Sequence, residues 1–246
     1  LGPRIIWSYF AWMIKYSKHP DKYPLEIRYK RIRNLILFVF KHWHIDFKIN
    51  NIELISNSDK QYLIVSNHLS FSDPLLIIAN STKPISFIAK KEVEKFPFIG
   101  RCVKGINGIF LDRDDIRQEI KCINLASSNI VNKKLSYVIF PEGTRNKDPL
   151  SPCREFKPGA LKIAFKANVE IISLASYGSF RIFPKEIHLK KYPIHMSFLS
   201  SYSPESFKEI STTELAPKIH DEIVNEINVL RIENDKYLDT LKKKRQ

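Results

Sequence analysis

The sequence predicts an α/β fold with a mostly parallel central sheet flanked by helices, because short apolar runs alternate with longer amphipathic segments from residue 50 onward. Strands that are separated by helices need crossover connections, and such connections join parallel strands. The runs that predict strands are Tyr62–Val65, Ile85–Ile88, Ile109–Leu111, Tyr137–Phe140, Ile171–Ala175 and His195–Phe198.

The segments between these runs carry helix signals. Pro74 is favoured at a first helical position, Asp114 or Asp115 is placed to cap a long helix, and Asn168 suits the end of another. The predicted helices are Pro74–Asn80, Asp115–Val131, Gly159–Ala167 and Glu214–Leu230. A sheet of this kind carries its functional sites at the carboxyl ends of its strands.

The first 50 residues differ in composition from the rest. They contain ten Lys and Arg against three Asp and Glu, interleaved with aromatic residues. Ile32, Leu35, Ile36, Val39 and Phe40 recur at helical spacing. Basic, aromatic, amphipathic helices lie in the headgroup region of membranes, so we expect residues 1–50 to form a membrane-surface helical segment and residues 51–246 the main domain. A helical cap packed on that domain is the alternative, and the two are compatible.

Charge and cysteine content narrow the class of protein. The formal net charge of +14 predicts attraction to polyanions, which include nucleic acid, anionic lipid and phosphorylated substrates. The three cysteines form no CxxC pair, so neither a zinc site nor a disulfide framework is indicated, and a reducing compartment fits best. No run of 18 apolar residues occurs, so no complete transmembrane helix is predicted.

Residues 66–76, SNHLSFSDPLL, follow the strand that ends at Val65. Taken alone, Asp73 before Pro74 indicates a helix N-cap, and His68 a surface histidine. Together they allow a second interpretation, because a loop between strand and helix can fold the carboxylate back onto the imidazole. The carboxylate would then hold one ring nitrogen as N–H and leave the other free to accept a proton.

Two further strand ends carry polar motifs. Residues 140–145, FPEGTR, follow another apolar run, with Gly143 allowing close backbone approach and Arg145 suited to gripping a phosphate. The alternative for this stretch is a tight turn with exposed charges around Glu142. Arg113 ends a third predicted strand. The three strand ends thus predict a histidine–aspartate pair and two arginines on one rim.

These stretches resemble the glycerolipid acyltransferase family, the group that contains the 1-acylglycerol-3-phosphate acyltransferases. Residues 67–73 match its first motif, Asn-His-x4-Asp, and residues 110–113 match the Phe-Ile-x-Arg end of its second, with Leu in place of Ile. Residues 140–145 match the third motif, Phe-Pro-Glu-Gly-Thr-Arg, without change, and residues 156–160, FKPGA, look like the family's usual continuation.

The fourth motif departs from the family pattern. The family carries prolines there, in a Val-Pro-Ile-Val-Pro pattern, whereas this chain has Glu170 and Ser173 at the two proline positions. We therefore expect a different shape for the wall that this strand forms.

The resemblance implies transfer of a fatty acyl group from an acyl thioester to a glycerol hydroxyl. It implies that His68 removes the proton from that hydroxyl, that Asp73 orients the imidazole, and that Asn67 belongs to the substrate-binding residues. No enzyme nucleophile, metal or cofactor is implied.

The same resemblance implies a phosphate-bearing acceptor. Arg145 and Arg113 would contact its phosphate, Gly143 would give room, Thr144 would offer a hydroxyl donor, and Glu142 would help to bind the acceptor. The implied partners are acyl-CoA or acyl carrier protein as donor, lysophosphatidate as acceptor and an anionic membrane surface, with no nucleic acid. The expected location is the cytoplasmic face of the cell membrane, peripheral or monotopic.

Two alternatives stay open from the sequence. The motifs do not separate acylation of 1-acylglycerol 3-phosphate from the first acylation, that of glycerol 3-phosphate, although the modest chain length favours the former. A non-catalytic lipid-binding or nucleic-acid-binding module fits the basic pI of about 9.6, but it leaves the His68–Asp73 spacing unexplained.

Overall fold

The structure is a computed structural model that describes residues 1–57, 59–112, 115–151, 153–183, 189–207 and 209–243. The seven strands found in these residues form one sheet in the order β1-β7-β6-β2-β5-β3-β4, and every neighbouring pair is parallel except β6 and β7. The predicted mostly parallel sheet is therefore confirmed. The strands are β1 Ile45–Asn50, β2 Tyr62–Ser66, β3 Ile85–Lys90, β4 Ile109–Leu111, β5 Ser136–Ile139, β6 Glu170–Tyr177 and β7 Tyr192–Tyr202.

Helices flank this sheet, as the sequence predicts. Short turns of 3-10 helix cover Pro20–Lys22, Lys91–Lys95, Pro158–Leu161 and Ser179–Arg181, and a π-helical turn covers Tyr9–Met13. The α-helices are α1 Gly2–Ser8, α2 Ile14–Lys18, α3 Leu25–His42, α4 Glu53–Ser56, α5 Asp73–Asn80, α6 Pro97–Gly105, α7 Ile116–Lys133, α8 Lys162–Ala167 and α9 Thr212–Lys243.

Strand β2 is buried on both faces and divides the core into two layers. Tyr62 and Ile64 pack with the N-terminal helices, α3 and α5, whereas Leu63 and Val65 pack with α7, α8 and α9. Side chains alternate between the faces of a strand, so a continuous apolar run is what a strand covered on both sides requires. The sheet that contains β2 thus forms the middle layer, with one layer of helices on each of its faces.

The N-terminal segment packs on the first of these layers. Trp12, Met13 and Tyr16 are buried in the same cluster as α3, and β1 pairs in parallel with β7. Residues 45–50, which were predicted as part of the N-terminal helical segment, form β1 instead, and Asp46 and Lys48 alternate with its apolar residues as in a half-buried edge strand. No helix in the described part of the chain is long and apolar enough to cross a bilayer.

The sheet order decides where the motifs meet. Strand β2 lies between β5 and β6, with Val65 opposite Ile139 and Ser66 opposite Leu174. The loops that leave β2 and β5 therefore emerge side by side from the same edge of the sheet, and the end of β6 adjoins them.

Candidate active site

The loop after β2 begins at Asn67, which is 1% exposed. The Asn67 side-chain amide donates to the Ser176 carbonyl at 2.9 Å, and the Ser176 backbone N–H donates to the Asn67 side-chain oxygen at 2.9 Å. Both polar atoms of this side chain are thus used to bind the end of β6. Asn67 lies where it fixes the start of the histidine loop, and it is turned away from the cleft.

Asp73 folds back onto the histidine instead of capping its helix. Its Oδ2 accepts hydrogen bonds from the backbone N–H groups of Leu69 at 2.7 Å and Ser70 at 2.8 Å, and it lies 2.8 Å from His68 Nδ1. A carboxylate oxygen can only accept, so the proton of neutral His68 lies on Nδ1. Nε2 is then left with a lone pair.

The His68 ring is supported on one face by an aromatic side chain. It stacks on Phe140, the last residue before the Pro-Glu-Gly turn, with ring centroids 4.2 Å apart and an interplanar angle of 20°. The side chain is 16% exposed and borders the cleft, and Nε2 has no hydrogen-bond partner within the described ranges. The imidazole is therefore oriented on one side and open on the other.

Glu142, in the loop after β5, connects that loop to the loop after β2 through a buried carboxylate. Its Oε1 accepts from the His68 backbone N–H at 2.6 Å and its Oε2 from the Arg154 N–H at 3.2 Å. Burial raises the pKa of the Glu142 carboxyl, although the two N–H donors oppose that rise. The Asn146 N–H also donates to the His68 carbonyl at 2.7 Å. Glu142 thus holds the backbone of the histidine, and both of its oxygens are occupied.

The rest of the FPEGTR turn borders the open side of the imidazole. Gly143 has φ +71°, a left-handed conformation that favours glycine, and Thr144 is exposed. The Arg145 guanidinium lies 4.6 Å from the ring centroid of Phe71 and borders the same cleft as His68. Arg113, the other predicted phosphate contact, lies outside the described residues.

A cleft of about 470 Å³ joins these groups. We call the part of its lining formed by His68, Gly143, Thr144, Arg145 and Lys157 its mouth; Lys90, Glu92 and Glu119 also line the cleft, and the rest of the lining is mainly apolar. The apolar lining comes from α5, β3, α6 and α7 and includes Ile78, Phe87, Ile99, Val103, Ile106 and Ile123. A cationic mouth with an apolar interior suits a ligand that has an anionic head and a hydrocarbon chain.

Sequence reasoning located most of this site and missed two of its members. His68, Gly143, Thr144 and Arg145 border one cleft, as predicted for the first two strand ends, whereas the third, at Arg113, lies outside the described residues. The sequence assigned no role to Phe140, which supports the imidazole, or to Lys157, which borders the mouth. Phe140 belongs to the motif FPEGTR and Lys157 to the stretch FKPGA. Their places in these glycine-containing stretches were the signal that could have identified them.

Known proteins resemble this chain in sequence. A sequence model described as Acyltransferase matches residues 46–177, which include both loops. A probable 1-acyl-sn-glycerol-3-phosphate acyltransferase of Mycoplasma pneumoniae is 30% identical over 221 residues, covering 85% of this chain and 81% of that protein. A 1-acyl-sn-glycerol-3-phosphate acyltransferase of Helicobacter pylori is 32% identical over 184 residues, covering 73% and 76%.

A solved structure shares the fold. The crystal structure of the 1-acyl-sn-glycerophosphate acyltransferase PlsC from Thermotoga maritima superposes with a TM-score of 0.68 at 24% identity, covering 82% of this chain and 79% of that one. At 24% identity this structural similarity shows that the fold is shared. The evidence for the family comes from the sequence matches.

Proposed function

This chain belongs to the acyltransferase family, and on that premise we propose that it transfers a fatty acyl group from an acyl thioester to the free hydroxyl of 1-acylglycerol 3-phosphate, giving phosphatidic acid. The relatives that it matches over most of their length bear the name of this reaction. The observation that carries the proposal is the His68–Asp73 pair, whose unprotonated nitrogen borders a cleft with a cationic mouth.

His68 acts as the general base. Nε2 takes the proton of the acceptor hydroxyl while its oxygen attacks the thioester carbonyl, so that an O–C bond forms and the C–S bond then breaks. The proton passes from the imidazolium to the departing thiolate. Asp73 stabilises the imidazolium and fixes the ring, and Glu142 and Asn67 position the loop from behind without contacting substrate.

Arg145 binds the phosphate of the acceptor. Its guanidinium borders the cleft beside the imidazole and stacks on Phe71, which holds it in place without neutralising its charge. Gly143 leaves space beside it, Thr144 offers a hydroxyl, and Arg113 belongs to the same assignment by its position in the second motif. The acyl chains lie in the apolar part of the cleft, which α6 helps to line.

Residues 1–50 seat the enzyme on an anionic membrane. Trp12 and Tyr16 face the core, while Trp7 and Phe10 are 65% and 66% exposed beside basic residues. A helix with one face buried in protein and large aromatic side chains on another is suited to the interfacial region of a bilayer.

Aromatic contacts connect this exposed face with the cleft. The Tyr9 ring lies 5.2 Å from Phe10 and 4.7 Å from Phe98 of α6. Phe96, two residues earlier, borders the cleft mouth and lies 6.2 Å from Phe71. A lipid at the bilayer surface would therefore meet the cleft beside the face that is proposed to bind the membrane. The donors are cytoplasmic carriers, so the cytoplasmic leaflet is the proposed location.

A crossed acyl-transfer assay tests the reaction. Lysophosphatidate and glycerol 3-phosphate are each offered with acyl-CoA and with acyl carrier protein thioester. We expect phosphatidic acid from lysophosphatidate and a much smaller rate with glycerol 3-phosphate. Transfer to glycerol 3-phosphate alone, or thioester cleavage without any acyl transfer, would contradict the proposal. The same assay identifies which donor is used.

Vesicle sedimentation tests the membrane assignment. Deleting residues 1–50 is unsuitable, because it would remove β1 and buried core residues. The double change Trp7→Ser with Phe10→Ser should release the protein from anionic vesicles. Val229→Ser with Ile232→Ser, which changes similarly exposed apolar residues on α9, should leave binding intact. Equal retention of both variants on the vesicles would contradict the assignment.

A further inference from the structure

The cleft mouth carries a second cation, Lys157, for which the motif chemistry supplied no role. Its backbone is fixed on both sides. Phe156 is buried, the Lys157 N–H donates to the Pro141 carbonyl at 3.1 Å, and the Ala160 N–H donates to the Lys157 carbonyl at 3.1 Å. The lysine is therefore held against the FPEGTR turn, although its side chain is exposed.

The side chain lies directly over Gly143. A methyl group at position 143 would lie 3.3 Å from Lys157 Cε and 3.4 Å from Nζ. The ammonium group is thus positioned beside the same turn that carries Arg145, and both cations border the cleft with His68.

The pairing of neighbouring charges distinguishes these two cations from the others nearby. Lys90 pairs with Glu92 at 2.7 Å, Lys91 with Asp112 at 3.1 Å and Lys104 with Glu94 at 2.7 Å. Among the residues that the structure describes, no carboxylate lies within 4.0 Å of Lys157 or Arg145.

Glu142 does not neutralise this pair of charges. Its two oxygens are buried and accept from the backbone N–H groups of His68 and Arg154. Arg145 and Lys157 are thus two cations without a carboxylate partner among the described residues, in a cleft that Glu92 and Glu119 also line, with Glu92 paired to Lys90. A doubly charged phosphate monoester matches these two cations.

We propose that Lys157 is a second phosphoryl-binding residue and that, with Arg145, it selects the phosphorylated acceptor. This rests on the proposed function. Arg145 offers a planar fork of N–H donors, whereas Lys157 offers a compact point charge beside Gly143. The phosphoryl group belongs to the acceptor, and the alternative source is the phosphate of the donor's carrier arm.

The test measures KM and kcat for Lys157→Ala and Lys157→Arg with two acceptors, lysophosphatidate and the phosphate-free 1-acylglycerol. Lys157→Ala should raise the KM for lysophosphatidate about tenfold with kcat nearly unchanged, since one charge-assisted contact is lost. The KM for 1-acylglycerol should not change. Lys157→Arg should recover most of the affinity.

The donor arm and the control separate the possible outcomes. Acyl-CoA is compared with an acyl thioester of N-acetylcysteamine, which carries no phosphate, and the effect of Lys157→Ala should be equal with both. Lys166→Ala removes another exposed lysine, bonded to Asn124 outside the cleft, and should change neither KM. An effect of Lys157→Ala that appears only with acyl-CoA would overturn the proposal, and so would an equal rise in KM for both acceptors. The rates of the wild-type enzyme test the proposed function separately.

Discussion

Among the described residues, His68, His195 and His220 each place Nδ1 near a carboxylate, and the first two differ in the features that decide their chemistry. His68 lies in the loop after β2, with Nδ1 2.8 Å from Asp73. His195 lies within β7, with Nδ1 3.4 Å from Glu233 of α9. The carboxylate of Asp73 is buried and held by two backbone N–H groups, whereas the Glu233 side chain is 49% exposed.

The second ring nitrogen separates the two pairs further. His68 Nε2 belongs to a ring that borders the cleft, while His195 Nε2 is buried without a hydrogen-bond partner in the described part of the chain. A histidine beside a carboxylate is therefore not sufficient for general-base catalysis. The base also needs a fixed carboxylate and a free nitrogen that a substrate can reach.

Replacing the two histidines should give the largest contrast. His68→Ala removes the base and should lower kcat by about 10²–10⁴-fold, the range that positioned general bases contribute. His195→Gln should leave kcat unchanged, because this ring contacts no part of the cleft. Both rates are measured with saturating lysophosphatidate, and thermal unfolding checks that each variant is folded. Equal losses in the two variants would remove the distinction between the pairs.

Changing the carboxylates should give a smaller contrast in the same direction. Asp73→Asn keeps the size of the side chain but removes the charge that stabilises the imidazolium, so kcat should fall by about 10²-fold. Glu233→Gln is the matched control on the other pair and should have no effect on kcat. A normal rate in Asp73→Asn would contradict the orienting role of Asp73.

The supporting carboxylates can be compared in terms of stability. Glu142 accepts from two backbone N–H groups, whereas Glu222 of α9 accepts from the hydroxyls of Ser173, Ser200 and Tyr202. Glu142→Gln leaves a buried N–H facing an amide NH₂ and should lower the free energy of unfolding by about 1–3 kcal/mol.

Glu222→Gln should cost less, because hydroxyl groups can rotate and accept from the new amide. Denaturant titration of the two variants measures the difference. A larger loss for Glu222→Gln would show that backbone N–H donors are not what makes Glu142 important.

The smallest expected effect is a pH dependence of stability that arises from His195. Burial lowers the pKa of His195 below its ordinary 6.5, while Glu233 and Asp46 oppose the shift and Lys48 adds to it. As the pH falls through 6.5, the unfolded chain takes up this proton before the folded protein does, so the free energy of unfolding decreases. The decrease ends below the lowered pKa.

His195→Gln should abolish this contribution. The difference in unfolding free energy between wild type and variant is measured from pH 7.5 down to pH 5. We expect the wild type to lose stability relative to the variant below pH 6.5. Parallel pH profiles for the two proteins would contradict a depressed pKa in the folded state.

The sequence could predict those elements whose local residue pattern is typical of one type of secondary structure. The apolar run Tyr62–Val65 indicated a strand of a mostly parallel sheet, and the motifs after β2 and β5 indicated one shared edge. Strand β1 was missed because residues 45–50 were assigned to the N-terminal helical segment, although their apolar–polar alternation is typical of a half-buried strand. Helix α6 was missed because it is short and has Gly100, a weak helix former, in its interior.

Long-range hydrogen bonds were beyond the reach of the sequence. Glu142 was expected to bind the acceptor, and Asn67 to bind substrate. Their actual neighbours, the His68 N–H and Ser176, lie 74 and 109 residues away along the chain. A local motif indicates which groups are present at a strand end, but only the neighbouring strands determine which of them point into the cleft.

The most direct test is the position of the proton on the neutral His68 ring. Nitrogen-15 NMR of histidine-labelled protein distinguishes the two tautomers, and the His68 resonances are assigned by their loss in His68→Ala. Asp73 as an acceptor predicts a proton on Nδ1 and an unprotonated Nε2. A proton found on Nε2 would leave His68 unable to accept the hydroxyl proton of the substrate, and the proposed mechanism would be wrong.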